Sequence, residues 1–222
     1  MSYQEIYQGL LAGIAQMSWV EALAVICAIV SVLCARANHV GVYPAGILGI
    51  LFSIYIFVGE QYKLYPDAAL NLYYLVMSIY GWYFWTRRGS EKNAKVESPT
   101  PITWCTPREL LIAALGFLVL WTGLYFWLHT YQINNVPLMD SFSSAMACVG
   151  MWLLAKRKIE NWIALLIADA VDVGMFFVKK LILFCGLNIF YVIIAILGFL
   201  TWKKLYARQK QRAAHAPSRQ SL

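Results

Sequence analysis

LNLYYLVMSIYGWYFW at residues 70–85 and LNIFYVIIAILGFLTW at residues 187–202 carry one pattern twice. Six letters coincide at a fixed spacing: Leu70 with Leu187, Asn71 with Asn188, Tyr74 with Tyr191, Ile79 with Ile196, Gly81 with Gly198 and Trp85 with Trp202. Most other positions exchange one apolar residue for another, so the chain contains a duplication or a symmetry strong enough to keep two copies alike. Each copy is a continuous apolar run rather than a period-two alternation. A run of about 20 such residues is what a helix needs to cross the hydrocarbon of a bilayer.

The rest of the sequence extends this reading. Of 222 residues, 61% are hydrophobic and only 13% charged, against roughly 25% charged in soluble domains. Seven apolar runs follow one another, at about 19–36, 42–59, 65–86, 109–129, 137–155, 160–178 and 181–202. Only helices and closed barrels satisfy their backbone groups in lipid, and the absence of alternation excludes the barrel. The expected fold is an all-α integral membrane protein with seven transmembrane helices. Residues 1–18 have neither a basic n-region nor an Ala-x-Ala cleavage pattern, so nothing there reads as a removable signal peptide.

A net charge of +7 raises the possibility of nucleic acid, but the distribution of the 18 Lys and Arg has a simpler cause. Fifteen mark one side of the bilayer: Arg36; Arg87, Arg88, Lys92, Lys95 and Arg108; Lys156, Arg157 and Lys158; and Lys203, Lys204, Arg208, Lys210, Arg212 and Arg219. Only Lys63, Lys179 and Lys180 fall on the other side. The positive-inside rule then puts the N-terminus outside and the C-terminus in the cytoplasm. The five cysteines, Cys27, Cys34, Cys105, Cys148 and Cys185, have no C-x-x-C spacing and read as small apolar fillers.

The longest polar stretch, RRGSEKNAKVESPTPITWCTPRE from residue 87, reads as a flexible cytoplasmic connector. It divides the spans into three, one and three. The boundaries are 1–86 for the first three-helix repeat with its N-terminal segment, 87–136 for linker and linking helix, 137–206 for the second repeat, and 207–222 for a basic, disordered tail. Four crossings separate the two copies of the opening pattern, so they run in the same direction. The preceding helices correspond as well, Tyr43–Phe57 lying over Trp162–Phe176. Parallel repeats of this kind are a transporter architecture, with the substrate site near the bilayer midplane between them.

On a helical wheel Asn71, Tyr74, Ser78, Gly81 and Trp85 fall within about 80 degrees of one another. Asn188, Tyr191, Ala195, Gly198 and Trp202 form the same stripe. Packing explains part of it: the glycines permit close helix approach, the tryptophans suit the aromatic belt at the cytoplasmic interface, and the asparagines bond neighbouring helices. A substrate-facing role for Asn71, Tyr74, Ser78, Asn188 and Tyr191 is the other reading. In ENWIALLIADAVDVGMFFVKK, Asp169 and Asp172 lie close to mid-membrane at i,i+3 spacing. A central Asp costs about 2.5–3.5 kcal/mol even on lenient insertion scales, so intramembrane carboxylates usually mark a pathway, a proton relay or a counter-ion. Hydrogen bonding to a neighbouring Ser, Asn or Tyr is the alternative. Trp162 is either a belt residue or a stacking surface. Trp and Tyr beside carboxylates suit a flat organic cation, whose charge finds a π face and a counter-ion.

Three-plus-one-plus-three spans, paired N-x-x-Y motifs, the GWYFW terminus and AKRKIENW entering the sixth span resemble the PnuC family of bacterial vitamin transporters. The resemblance covers residues 19–202. It implies a full-length SWEET-like fold, a homotrimer in the bacterial inner membrane, and facilitated diffusion of nicotinamide riboside with a cytoplasmic vitamin kinase trapping the product. Asn71 with Tyr74 and Asn188 with Tyr191 occupy the N-x-x-Y places, and Trp162 takes the first place of a W-x-x-W whose second place holds Leu165. YPAGI at 43–47 and SIYGWYFW look like the thiamine-associated branch. No cofactor, metal or nucleic acid is expected. With no P-loop, G-x-S-x-G or H-E-x-x-H, the expectation is a non-enzyme, the rivals being an intramembrane enzyme or seven-helix receptor using Asp169 and Asp172.

Overall fold

The computed structural model describes residues 3–59, 65–87, 100–131 and 136–215. Lys63, Arg88, Lys92, Lys95 and Arg219, counted above for their charge, lie outside these residues. Among the described residues every regular element is a helix: α1 (Tyr3–Gln16), α2 (Trp19–Arg36), α3 (Val42–Val58), α4 (Tyr65–Thr86), α5 (Pro107–Thr130), α6 (Pro137–Ala155), α7 (Asn161–Val178) and α8 (Ile182–His215).

Local chemistry sets the helix starts. Ser18 accepts from the backbone N–H of Glu21, whose carboxylate accepts from the N–H of Ser18, a reciprocal cap at the head of α2. Thr106 and Glu109 repeat the device on α5, with Pro107 supplying the fixed φ of a first helical residue. α2, α5, α6, α7 and α8 (over Ile182–Arg212) are long and apolar enough to cross a membrane, and α3 is an apolar helix of 17 residues. Large apolar side chains point outward, among them Leu111, Val119 and Phe126 of α5. In water such a surface would aggregate, whereas in lipid it is the expected exterior.

Six helices close a ring: α2 packs on α3, α3 on α4, α4 on α6, α6 on α7, α7 on α8, and α8 back on α2. α5 lies outside against α6, and α1 outside against α8. The neighbours of α2, α3 and α4 thus match those of α6, α7 and α8. The corner between α2 and α3 recurs between α6 and α7 bond for bond. His39 N–H donates to Cys34 O at 2.9 Å, as Lys158 N–H does to Leu153 O at 2.9 Å. Val42 N–H reaches His39 O at 3.2 Å, as Asn161 N–H reaches Lys158 O at 3.2 Å. Each corner turns on one residue with positive φ, Asn38 at 54° and Arg157 at 56°. Asn adopts that conformation readily and Arg does not, so the second corner carries some strain.

Several expectations need correction. Trp85 and Trp202 are not belt residues facing headgroups: they are 4% and 0% exposed, and each indole N–H crosses to a carbonyl at the end of a neighbouring helix. The connector is not loose throughout. Residues 100–106 form a strap in which Thr103 pairs with the α6–α7 corner, accepting from Ile159 N–H and donating to Arg157 O, while Ile102 is buried. The apolar letters of PTPITW drive that docking. α8 continues to His215, through the segment expected to be a disordered tail, because KKLYARQKQRAAH is rich in good helix formers. α1 was not anticipated. It packs on α8 through Gly9 and Gly13, where an added Cβ would sit 3.1 Å from Ile182 and Leu183.

Candidate functional site

The repeated stripes present their glycines to aromatic rings. A Cβ on Gly198 would lie 2.6 Å from three carbons of the Trp162 ring, and one on Gly81 would overlap Tyr43. Tyr43 meets Trp85 edge to face (5.1 Å, 89°), and Trp162 meets Trp202 likewise (5.7 Å, 85°). The two stripes therefore make equivalent sockets, each glycine seating the aromatic residue that opens the preceding helix. Trp162 is 1% exposed, which rules out the belt position. Because α8 covers its six-membered ring at Gly198, little of it is left for stacking.

The asparagines bond neither a neighbouring helix nor each other. Asn71 donates to Asp67 O and Asn188 to Phe184 O, both at 2.9 Å, each one turn back on its own helix. Each amide therefore keeps one N–H and its side-chain oxygen for another partner.

Two cavities open beside the stripes. The first, of about 190 Å³, lies between α3, α4, α6 and α7 and is lined by Phe57, Asp67, Leu70, Asn71, Tyr74, Asp140, Ser143, Ser144, Ala147, Asp172, Met175 and Phe176. The second, of about 170 Å³, lies between α2, α7 and α8 and is lined by Val32, Trp162, Leu165, Asp169, Tyr191 and Ala195. The eight expected residues are thus divided: Asn71, Tyr74 and Asp172 line the first cavity, Trp162, Asp169 and Tyr191 the second, and Ser78 and Asn188 are buried but line neither. Asp169 and Asp172, although three residues apart, serve different cavities.

Sequence reasoning missed Asp67, Asp140, Ser143 and Ser144. Asp67 and Asp140 sit in the first turns of α4 and α6, and their charges seemed to need no explanation at helix ends. The usable signal was topological: the same reasoning that oriented the spans puts the starts of α4 and α6 and the end of α7 on one face, so two acids and Lys179 should meet there. Asp67, Asp140 and Lys179 do lie within electrostatic range of one another. Asp172 takes a hydrogen bond from Ser143, while its Oδ1 is buried without a partner. The single Ser143 proton has a second acceptor within reach, Asp140 O at 3.2 Å, so it serves one of the two at a time. Tyr74 lies close to both Asp172 and Cys148. A cavity with three carboxylates and one ammonium nearby carries net negative potential, which favours a cation and repels an anion. Leu165, at the place of the absent tryptophan, fills the space over Gly150, with its Cδ2 2.7 Å from where a Cβ there would be. Among the described residues no group of His, Cys, Asp and Glu could hold a metal ion.

A ring of apolar helices around one polar and one mainly apolar cavity fits a class, the multi-pass membrane carriers of small molecules. The sequence profile of the Nicotinamide mononucleotide transporter family matches residues 18–204, and the chain belongs to that family. It is 23% identical to the Nicotinamide riboside transporter PnuC of Escherichia coli (strain K12), over 86% of this chain and 87% of that one, and equally to the same-named protein of Shigella flexneri. The crystal structure of the Vitamin B3 transporter PnuC superposes with a TM-score of 0.66 over 94% of both chains at 20% identity, which establishes the shared fold. The protein is a membrane-embedded transporter of a small molecule and not an enzyme, which disposes of both rivals.

Proposed function

We propose that this transporter carries a cationic, heteroaromatic vitamin or vitamin precursor, nicotinamide riboside or thiamine, by facilitated diffusion. The observation that carries this reading is the first cavity, where Asp67, Asp140 and Asp172 surround Asn71 and Tyr74. Both vitamins hold a fixed positive charge in a flat ring. The carboxylates would balance that charge, while Tyr74 and the free oxygen of Asn71 would bond polar edges. Trp162, Asp169 and Tyr191 would form a further station along the path, and Ser78 and Asn188 would support the two helices that bear the tyrosines. The names of the curated relatives favour nicotinamide riboside. Leu165 and the YPAGI stretch favour thiamine.

In this reading α2–α4 and α6–α8 are parallel three-helix repeats of the SWEET-like kind, α5 is the helix that keeps them parallel, and seven helices cross the bacterial inner membrane with the N-terminus outside. The matched corners, sockets and ring order support it. A homotrimer, and a cytoplasmic kinase that traps the vitamin as its phosphate, complete the proposal. No nucleotide-binding loop is available to drive uphill transport.

Calorimetric titration of the purified protein with nicotinamide riboside, thiamine and riboflavin is the test. Tight binding of one of the first two, with riboflavin silent, is expected; riboflavin alone binding would overturn the cationic reading. Counterflow of the bound vitamin in liposomes should proceed without nucleotide or ion gradient, and a strict need for either would remove facilitated diffusion.

A further inference from the structure

The second cavity ends on a plug. Trp162 and Ala195, which line it, belong to the same buried cluster as Tyr43, Trp85 and Trp202, and Val32 packs on that cluster. The plug lies at the end of the bundle that bears Arg36, Lys156, Lys158, Lys203 and Lys204, opposite the helix ends that frame the first cavity. Any solute passing between the repeats must displace it. It is held by two equivalent links between adjacent helices where the two repeats meet. Trp202 Nε1 donates to Ala35 O at 2.9 Å, joining α8 to the end of α2. Trp85 Nε1 donates to Leu154 O at 3.3 Å and Ala155 O at 3.2 Å, joining α4 to the end of α6.

The links are equivalent, but their reinforcement is not. Arg157, 3% exposed, lays its guanidinium over the Trp85 ring at 4.0 Å and donates to Thr100 O in the strap. Thr100 Oγ1 in turn donates to Phe84 O at 3.1 Å, one residue before Trp85. Cys105 N–H closes the strap on Glu160 Oε1 at 2.8 Å, and Lys158 pairs with Glu109 at 2.8 Å. α4, the strap and the α6–α7 corner are thus one bonded unit. At the other link the residue equivalent to Arg157 is Asn38, whose side-chain oxygen is buried without a partner. Among the described residues the strap meets α8 through apolar packing, Trp104 against Phe199 and Tyr206 and Ile102 in the cluster that holds Trp202, with no hydrogen bond between them.

We propose that the plug is an asymmetric gate, in which the Trp202–Ala35 link between α8 and α2 is the half that opens, and Arg157 is a positioning residue that acts through Trp85 and the strap to hold the α4–α6 half shut. The inference uses the transporter class and is independent of which vitamin is carried.

Two native thiols report on the two halves. Cys34 adjoins Ala35 in α2 and is partly buried against the plug, and Cys105 lies in the strap. With the protein in nanodiscs and no ligand present, alkylation by N-ethylmaleimide is followed at each cysteine by peptide mass spectrometry. Losing one hydrogen bond shifts a local opening by a few-fold, so Trp202→Phe is expected to speed alkylation of Cys34 about three- to tenfold and leave Cys105 unchanged. Trp85→Phe should alter neither by more than about twofold, because the strap remains. Arg157→Gln should speed Cys105 instead. Arg157→Lys, which keeps the charge but not the planar fork, should fall between Arg157→Gln and wild type. Equal effects of Trp85→Phe and Trp202→Phe would make the gate symmetric and overturn the proposal. So would wild-type alkylation of Cys34 in Trp202→Phe protein that elutes as a folded species. Should Trp202→Phe not fold, nicotinamide riboside and thiamine are added in turn to the wild-type protein. Faster alkylation of Cys34 alone then supports the gate, and faster alkylation of Cys105 alone, or of neither thiol with a vitamin that calorimetry shows to bind, removes it.

Discussion

The first repeat and the second agree at their ends and disagree in their middles. At the basic end the two helix–turn–helix corners share hydrogen bonds, a positive-φ residue, a glycine socket and an indole donated to the adjoining helix of the other repeat. Halfway along the equivalent helices the chemistry separates. Asp172 stands where the first repeat has Ser53, whose hydroxyl merely bonds Gly49 O on its own helix, and Asp169 stands where it has Ile50. Packing geometry has to match for the ring to close, whereas the cationic vitamin proposed above, with one charged end and no twofold axis, would break the symmetry. The comparison teaches that the duplicated glycines and aromatic residues at the basic end carry structure, whereas the carboxylates of Asp169 and Asp172, present in one repeat only, set the two cavities apart.

The sharpest way to break this is at the sockets. Gly81→Ala and Gly198→Ala each drive a methyl into a buried ring, and each is expected to destabilise the protein by about 1–3 kcal/mol through overpacking. Gly116→Ala and Gly123→Ala on α5, where an added Cβ meets nothing within 4 Å, should instead stabilise slightly, by about 0.5–1 kcal/mol. Thermal unfolding in detergent followed by tryptophan fluorescence checks all four. Indifference at either socket would mean that the repeats do not share their packing.

Divergence in the middle is tested next. Asp172→Asn should weaken binding of the cationic vitamin by about 1.5–3 kcal/mol, as expected for a hydrogen-bonded charge, and bind an uncharged isostere nearly as before. Ser53→Ala at the equivalent position should change neither. Equal loss for both ligands on Asp172→Asn would take the carboxylate out of the counter-ion role. A smaller contrast is expected between the asparagines. Asn71→Leu removes an acceptor from the first cavity and should cost about 1–3 kcal/mol of affinity, while Asn188→Leu, which alters neither cavity lining, should cost less. Matching losses, non-additive in the double mutant, would mean that both asparagines hold one ligand.

The smallest effect concerns the strap. Burial, followed by the hydrogen bond and charge of Glu160, pushes the Cys105 thiol up to about 12. The reactive thiolate is therefore scarce at neutral pH, and the alkylation rate of Cys105 should climb about tenfold per pH unit through pH 10. A plateau near pH 9 would mean that the thiol is neither buried nor held beside Glu160 as described.

Much of this was legible in the letters. Runs of apolar residues locate α2–α8 because a lipid solvent imposes length and composition directly. The glycine and aromatic positions of the sockets were visible as a repeat. What was not legible depends on contacts between distant segments. Thr103 meets Lys158 only after the ring has closed, and a short extended strap has no period to announce it. Trp85 and Trp202 looked like belt residues because nothing local distinguishes an indole facing headgroups from one aimed at a carbonyl 69 or 167 positions away. The first cavity was half read, since Asn71, Tyr74 and Asp172 carry unusual polarity inside apolar runs, but Asp67 and Asp140 looked ordinary at helix starts.

The tryptophan plug also has an optical consequence. The indoles of Trp202 and Trp85 are 6.0 Å apart at 50°, and those of Trp202 and Trp162 are 5.7 Å apart at 85°. Chromophores this close and mutually inclined exchange excitation, and they should give the protein a coupled circular-dichroism band that isolated tryptophans lack. Moving α8 by a few ångströms would dissolve the band, so the molecule contains an intrinsic spectroscopic signal of its own conformational state, readable without a label.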